Sequence, residues 1–135
     1  MRTNGQAFAF TGLVDLNAKN VTVDATDAGG TATGANITFN QTINDAAGAG
    51  NLVLTGGTGG DVVVTGAIGA TDAIGTLTIT GNDLTIDDIG VASTAGASTV
   101  ALTAANGVDS GSIILTGSIY QSSGTQTYNA FATNP

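Results

Sequence analysis

The segment VVVTGAIGATDAIGTLTITG, residues 62–81, decides how this chain folds. It holds two copies of the pentapeptide apolar–x–apolar–Thr–Gly, at 62–66 and 77–81, and an extra apolar residue, Ile68, just past the first. On a strand the two apolar side chains point to one face and the residue between them to the other, and the Gly lets the chain turn. Two short strands joined by glycine corners therefore make one unit. The rest of the sequence repeats that unit.

The pentapeptide recurs as FAFTG at 8–12, LVLTG at 52–56 and IILTG at 113–117. Looser copies fill the gaps: VTVDA at 21–25, ITFNQ at 37–41, LTIDD at 84–88, VALTA at 100–104 and QTYNA at 126–130. These segments alternate between two classes. The first class adds an apolar residue beyond its corner, at Leu13, Ile43, Ile68, Ile89 and Ile119. The second class follows with VTV, LVL, LTI, VAL and QTY. Units begin near residues 8, 37, 62, 84 and 113.

A unit of about 25 residues with short strands and glycine corners is one coil of a β-solenoid, so the expectation is an all-β parallel β-solenoid (β-helix) of about five coils, a single domain or segment over residues 1–135. Strands one coil apart would stack in parallel ladders about 4.8 Å apart. Phe8, Ile37, Val62, Leu84 and Ile113 would form one apolar column, and Phe10, Phe39, Val64, Ile86 and Leu115 a second. Val21, Leu52, Leu77 and Val100 would face them, with Val23, Leu54, Ile79, Leu102 and Tyr128 alongside. Ten short strands would also suit an antiparallel sandwich, but a sandwich does not require like residues at matching steps.

Composition agrees. All ten acidic residues are Asp, and the only basic side chains are Arg2 and Lys19, for a net charge of −8. Without Glu, and with almost no Lys or Arg, the chain lacks the usual helix formers. The same charge repels phosphate backbones, which argues against nucleic acid, and disfavours anionic lipid. There is no Cys and no His, so disulfides, thiolate metal sites and the commonest general base are excluded together. No apolar run approaches the roughly 18 residues of a membrane span. The start, MRTNGQAFAF, lacks the apolar stretch of a signal peptide, which suggests a cytosolic chain or a piece of a larger exported one.

The stretch 80–129 resembles the repeats of very large bacterial surface and secreted adhesins, the filamentous-haemagglutinin-like β-helix exoproteins, above all in GSIILTGSIYQSSGTQTYN at 111–129. The resemblance implies a non-enzymatic structural segment of an extracellular adhesin, stalk or biofilm-matrix fibre. It carries over no catalytic residue.

Four carboxylates are candidates for metal, and Ca²⁺ is the one cofactor they suggest. GGTGGDVVV at 56–64 matches the calcium nonapeptide GGxGxDxUx and would use Asp61. Such motifs hold ions between stacked copies, and no second copy lies nine or eighteen residues away. The nonapeptide would also bury Val63, whereas the solenoid register buries Val62 and Val64. A glycine corner is the better account. Asp83, Asp87 and Asp88 form the densest acidic cluster, suited to a hard cation, but Asp is also a good turn residue. A polyuronate-cleaving carboxylate pair would need groups to bind an acidic sugar, which two basic residues hardly supply. The expectation is no enzyme.

Thr22, Thr38, Thr78 and Thr85 are mid-strand and outward. A flat threonine ladder can order water as ice-binding solenoids do, but Ala9, Val53, Val63, Ala101 and Ile114 interrupt it, and strand propensity suffices. Asn20, Asn36 and Asn40 head Asn-x-Thr triplets on or beside predicted strands, which carry no meaning in a bacterial protein. Tyr120 and Tyr128 fall in the last coil, where exposed rings could stack on sugar. A glycan or receptor site, if present, would sit in the segments 25–35 and 90–98. No capping helix precedes residue 8 or follows 128, and the tail QTYNAFATNP resembles the head RTNGQAFAFTG when Phe131 is aligned with Phe8. The partners expected are therefore the chain itself, stacked head to tail, or neighbouring coils of a larger parent.

Overall fold

The computed structural model describes residues 1–104 and 111–131. They contain twelve strands: β1 (Phe8–Phe10), β2 (Val14–Asp15), β3 (Val21–Asp24), β4 (Ile37–Phe39), β5 (Ile43–Asn44), β6 (Leu52–Thr55), β7 (Val62–Val64), β8 (Ile74–Gly81), β9 (Leu84–Ile86), β10 (Ala97–Ala104), β11 (Ile113–Leu115) and β12 (Gln126–Ala130). The first sheet runs β1-β4-β7-β9-β11 and the second β3-β6-β8-β10-β12. Every neighbouring pair in them is parallel. The molecule is an all-β solenoid of five coils.

The ladder register follows the repeat. Phe8 pairs with Ile37, Ile37 with Val62, Val62 with Leu84, and Leu84 with Ile113. In the second sheet Val23, Leu54, Ile79, Leu102 and Tyr128 are successive partners. The inward residues of the middle coils are sealed: Ile37, Leu52, Leu54, Val62, Val64, Leu77, Ile79, Leu84 and Ile86 have no exposed surface. Such a column holds register, because a slip of one residue would turn every apolar side chain outward. β8 and β10 begin three residues before the pentapeptide, at Ile74 and Ala97, which pair and are buried although the strict alternation starts only at Thr76 and Thr99.

A third ladder lines the corner, and it departs from expectation at both ends. It runs Val14, Ile43, Ile68, Ile89, Tyr120. Leu13, expected there, is 76% exposed, and Ile119 gives way to Tyr120. The segment between first-sheet strand and corner differs in length from coil to coil, so spacing could not choose between adjacent apolar residues. Tyr120 fills the last corner by donating its hydroxyl hydrogen to the Ile86 carbonyl (3.0 Å) and accepting from the Gly117 N–H (2.8 Å).

The end coils differ from the middle ones. Leu115 and Tyr128 hold their expected columns but are 45% and 37% exposed, since among the described residues nothing stacks on β11 and β12. At the other end Phe8 and Phe10 stack on each other, and Phe10 stacks on Phe39 at 4.3 Å between centroids. Residues 1–5 lie along the edge of β3: Thr3 N–H donates to the Asp24 carbonyl, Asp24 N–H to that of Met1, and Gly5 N–H to that of Ala25. This is a strand-like cover that a search for a capping helix overlooks. Arg2 bridges to Asp24 in the column that ends at Asn129, and Phe131 lies two residues beyond Asn129. Phe131 therefore does not occupy the position of Phe8. The tail residues 132–135 used in that alignment lie outside the described residues.

Candidate functional site

The outward residues of the two sheets are set by the same alternation that buries the core, and they form six columns. On the first sheet these are Ala7, Asn36, Asp61, Asp83, Ser112; Ala9, Thr38, Val63, Thr85, Ile114; and Thr11, Asn40, Thr65, Asp87, Thr116. On the second they are Asn20, Asn51, Thr76, Thr99, Thr125; Thr22, Val53, Thr78, Ala101, Thr127; and Asp24, Thr55, Thr80, Thr103, Asn129. Sequence position alone grouped Thr38 and Thr85 with Thr22 and Thr78. The fold separates them onto different faces.

Three of the four acidic candidates, Asp61, Asp83 and Asp88, serve the backbone. Asn36 Oδ1 accepts from Asp61 N–H (2.9 Å), Asp61 Oδ1 from Asp83 N–H (3.2 Å), and Asp83 Oδ1 from Ser112 N–H (2.8 Å) and its hydroxyl (2.7 Å). Each side chain thus satisfies a backbone donor of the next coil at the place where a first-sheet strand begins. Asp61 also accepts from the Asn82 side-chain amide. Asp88, at the next corner, accepts from the Ser118 and Ile119 N–H groups with Oδ1. Asp87 stands beside it at the end of β9. Asp61 and Asp83 thus share one column and Asp87 and Asp88 one corner, and no group of three or more possible metal ligands occurs among the described residues.

The GGTGG segment is a corner where backbone meets backbone. A Cβ on Gly60 would lie 2.3 Å from the carbonyl oxygens of Ala35 and Gly56, and Gly57 has φ +92°. Gly60 needs glycine for closeness, and Gly57 for closeness and handedness. Val62 and Val64 face the core and Val63 faces out, opposite to the direction a calcium nonapeptide requires.

Two buried carboxylates escaped sequence reasoning. Asp24 accepts from the Thr26 hydroxyl (2.6 Å) and N–H (2.8 Å) and from Ala28 N–H (2.9 Å), and Arg2 lies 3.4 Å away. The Thr26 hydroxyl is the main reason its pKa lies below the ordinary aspartate value, followed by burial acting the other way, the two N–H groups and Arg2. Asp45, 1% exposed, accepts from Ala18 N–H (2.6 Å) and Gly50 N–H. Burial is the largest influence on it and would raise its pKa, but the N–H groups of Ala18, Gly50, Gly48 and Ala47 together outweigh burial and lower it. The available signal was weak: an Asp just past VTV, and another opening the glycine-rich loop DAAGAG. Tyr120 is shifted up, first by burial, against the opposing Gly117 N–H, with Asp88 and Asp87 adding to the rise.

An open cavity of about 430 Å³ lies at the corner of the first coils, lined by Leu13, Val14, Asp15, Thr42, Asn44, Ala46, Thr71 and Asp72. Its polar groups are also engaged: Asp15 Oδ1 accepts from Asn17 and Ala46 N–H, and Asn44 Oδ1 from Thr71 and Asp72 N–H. Among the described residues no helix is long and apolar enough to cross a membrane. No family model, curated protein or solved structure matches the chain.

Proposed function

We propose that the chain is a non-enzymatic, load-bearing solenoid segment of an extracellular or bacterial-surface adhesin, stalk or biofilm-matrix fibre. The observation that carries this reading is the unbroken parallel register of both five-stranded sheets. Pulling along such a stack loads many interstrand hydrogen bonds together, and length grows simply by adding coils. The likeness of residues 80–129 to adhesin repeats supports the setting, and the use of Asp61, Asp83 and Asp88 as backbone acceptors supports a structural role over catalysis. Tandem copies joined in one polypeptide test it: small-angle scattering should give a rod whose length rises by one constant step per copy. Particles that stay compact would exclude the rod.

The exposed side chains of the last coil favour a second element of this reading, self-association. Leu115, Tyr128 and Phe131 are all open at the edges of β11 and β12. The first sheet could continue from β11 to β1 of a second copy, or to the next coil of a longer parent, a contact that propagates instead of closing. In the second sheet residues 1–5 already occupy the edge of β3 where the preceding copy's β12 would pair. Sedimentation and electron microscopy would show filaments if this holds, and a monomer at every concentration if it does not. Glycan or receptor recognition, through 25–35 or 90–98, is the rival that a glycan array would reveal.

A further inference from the structure

Thr occupies nine of fifteen outward positions on the second sheet but five of fifteen on the first. Strand propensity acts on both sheets alike, so it does not explain the asymmetry. Charge is divided the same way. The first sheet's face carries Asp61, Asp83 and Asp87, whereas the second carries only Asp24 at its rim, its carboxylate held by Thr26, Ala28 and Arg2. From β6 to β12 the face has no charged residue in a chain of net charge −8.

We propose that the outward face of the second sheet binds the surface of ice. The face is a two-dimensional grid, with strands about 4.8 Å apart and alternate residues about 6.6 Å apart along each strand. Only a periodic ligand matches a periodic face at every point. Charged side chains would keep their own hydration shells, so a face cleared of charge suits a neutral ligand. Crystalline polysaccharide is neutral and periodic too, but its recognition draws on aromatic platforms, and none of the fifteen positions is aromatic. Threonine offers a hydroxyl to the lattice and a methyl to the space between water molecules. Its branched Cβ keeps χ1 stiff, and the Thr99 hydroxyl donates to that of Thr76 at 3.1 Å, so little freedom remains to lose on binding. Val53 and Ala101 interrupt the central column; Ala101 is flanked by Thr99 and Thr103, and Val53 by Asn51 and Thr55.

The test uses the full chain in ice-recrystallisation and thermal-hysteresis assays. The chain should keep ice grains small at concentrations where an inert protein of equal mass does not. Thr78→Tyr, in the centre of the second sheet's face, should weaken this by about tenfold or more, as loss of fit at the middle of a contact does. Thr85→Tyr, on the first sheet, should leave it unchanged. Thr78→Ala, which removes the hydroxyl without adding bulk, should give an intermediate loss with at most a slight shift of the thermal melt. No effect of the unmodified chain on ice would overturn the proposal. So would equal losses from Thr78→Tyr and Thr85→Tyr, or retention on crystalline cellulose without activity on ice.

Discussion

In the first sheet the column Asn36, Asp61, Asp83, Ser112 climbs the molecule with each of its first three side chains bound to the N–H of the next coil. In the second sheet the corresponding column reads Asn20, Asn51, Thr76, Thr99, and its polar groups turn from backbone to one another. Asn20 and Asn51 still accept from the N–H groups of Asn51 and Thr76, but Thr99 bonds to the hydroxyl of Thr76. Both sheets close over the same apolar interior. In that column the first sheet spends its polar side chains on joining coils, so little of the column's chemistry is left for a ligand. The second is joined mainly by its longer ladders, β8 and β10 pairing at seven positions, and its hydroxyls remain available. The division of labour lies outside the core.

The largest effect should come from the interior the two sheets share. Ile86→Asp in the first and Ile79→Asp in the second each place an unpaired carboxylate where no surface is exposed, at a cost of several kcal/mol. Both should unfold the domain, as circular dichroism would report. Leu115→Asp, in the same column as Ile86 but 45% exposed, should be tolerated far better. If Leu115→Asp proved as damaging as Ile86→Asp, the last coil would be covered in solution, for example by a second copy.

Acid should act next, through the two buried carboxylates. Asp24 and Asp45 are held below the ordinary aspartate pKa, by the Thr26 hydroxyl and by converging N–H groups respectively. A depressed folded pKa contributes stability above the unfolded value, about 3.9 for aspartate, and loses it as pH falls through the folded value. Denaturant midpoints should thus hold steady from neutrality to about pH 5 and decline below about pH 4. Asp45→Asn should flatten that decline and lower stability at neutral pH, because the amide nitrogen cannot accept what Oδ2 accepts from Gly50. An acid decline of the same depth in Asp45→Asn would relocate the effect to other carboxylates.

How much of this could be read beforehand depends on which interaction set each residue's place. The four inner columns were legible because every coil repeats an apolar–x–apolar unit, and the hydrophobic effect reads that pattern without regard to loops. The corner column was legible only in the middle coils. At the ends, adjacent apolar residues competed, and packing chose Val14 over Leu13 and Tyr120 over Ile119. The roles of Asp24 and Asp45 were not legible, since they depend on donors supplied by turns with left-handed residues such as Ala28, Ala18 and Gly48. The threonine face was hidden for a different reason. The two strand classes were legible, but only the residue between the two apolar positions was read as outward, so the flanking columns were left out and Thr22 and Thr78 were weighed together with Thr38 and Thr85 of the opposite class.

A smaller effect separates the two faces directly. Asp83→Ala removes the acceptor for both donors of Ser112 and should cost about 1 kcal/mol, visible as a lower denaturant midpoint. Thr78→Ala, at an outward position across the solenoid, should cost no more than about 0.5 kcal/mol. Equal costs would mean that the threonine face is as structural as the acidic one.

The smallest effect is the most telling about that face. Thr99 lies between Thr76 and Thr125 in an outward column, and its hydroxyl donates to another hydroxyl, that of Thr76, where water could serve instead. Thr99→Val replaces that hydroxyl with a methyl of nearly the same shape and keeps the branched Cβ that suits a strand. Losing a half-exposed hydroxyl pair and gaining a little apolar contact nearly cancel, so the thermal midpoint should move by no more than the equivalent of about 0.5 kcal/mol in either direction. A Thr76→Val, Thr99→Val double variant should be as stable as either single change predicts, because the coupling it removes is one weak hydrogen bond. If the double variant matches the parent chain, the hydroxyls of the second sheet are not there to hold the fold, and what they contact outside it becomes the question. A loss of more than about 2 kcal/mol would instead make the Thr76–Thr99 pair a structural joint like Asp83, and the contrast between the two sheets would disappear.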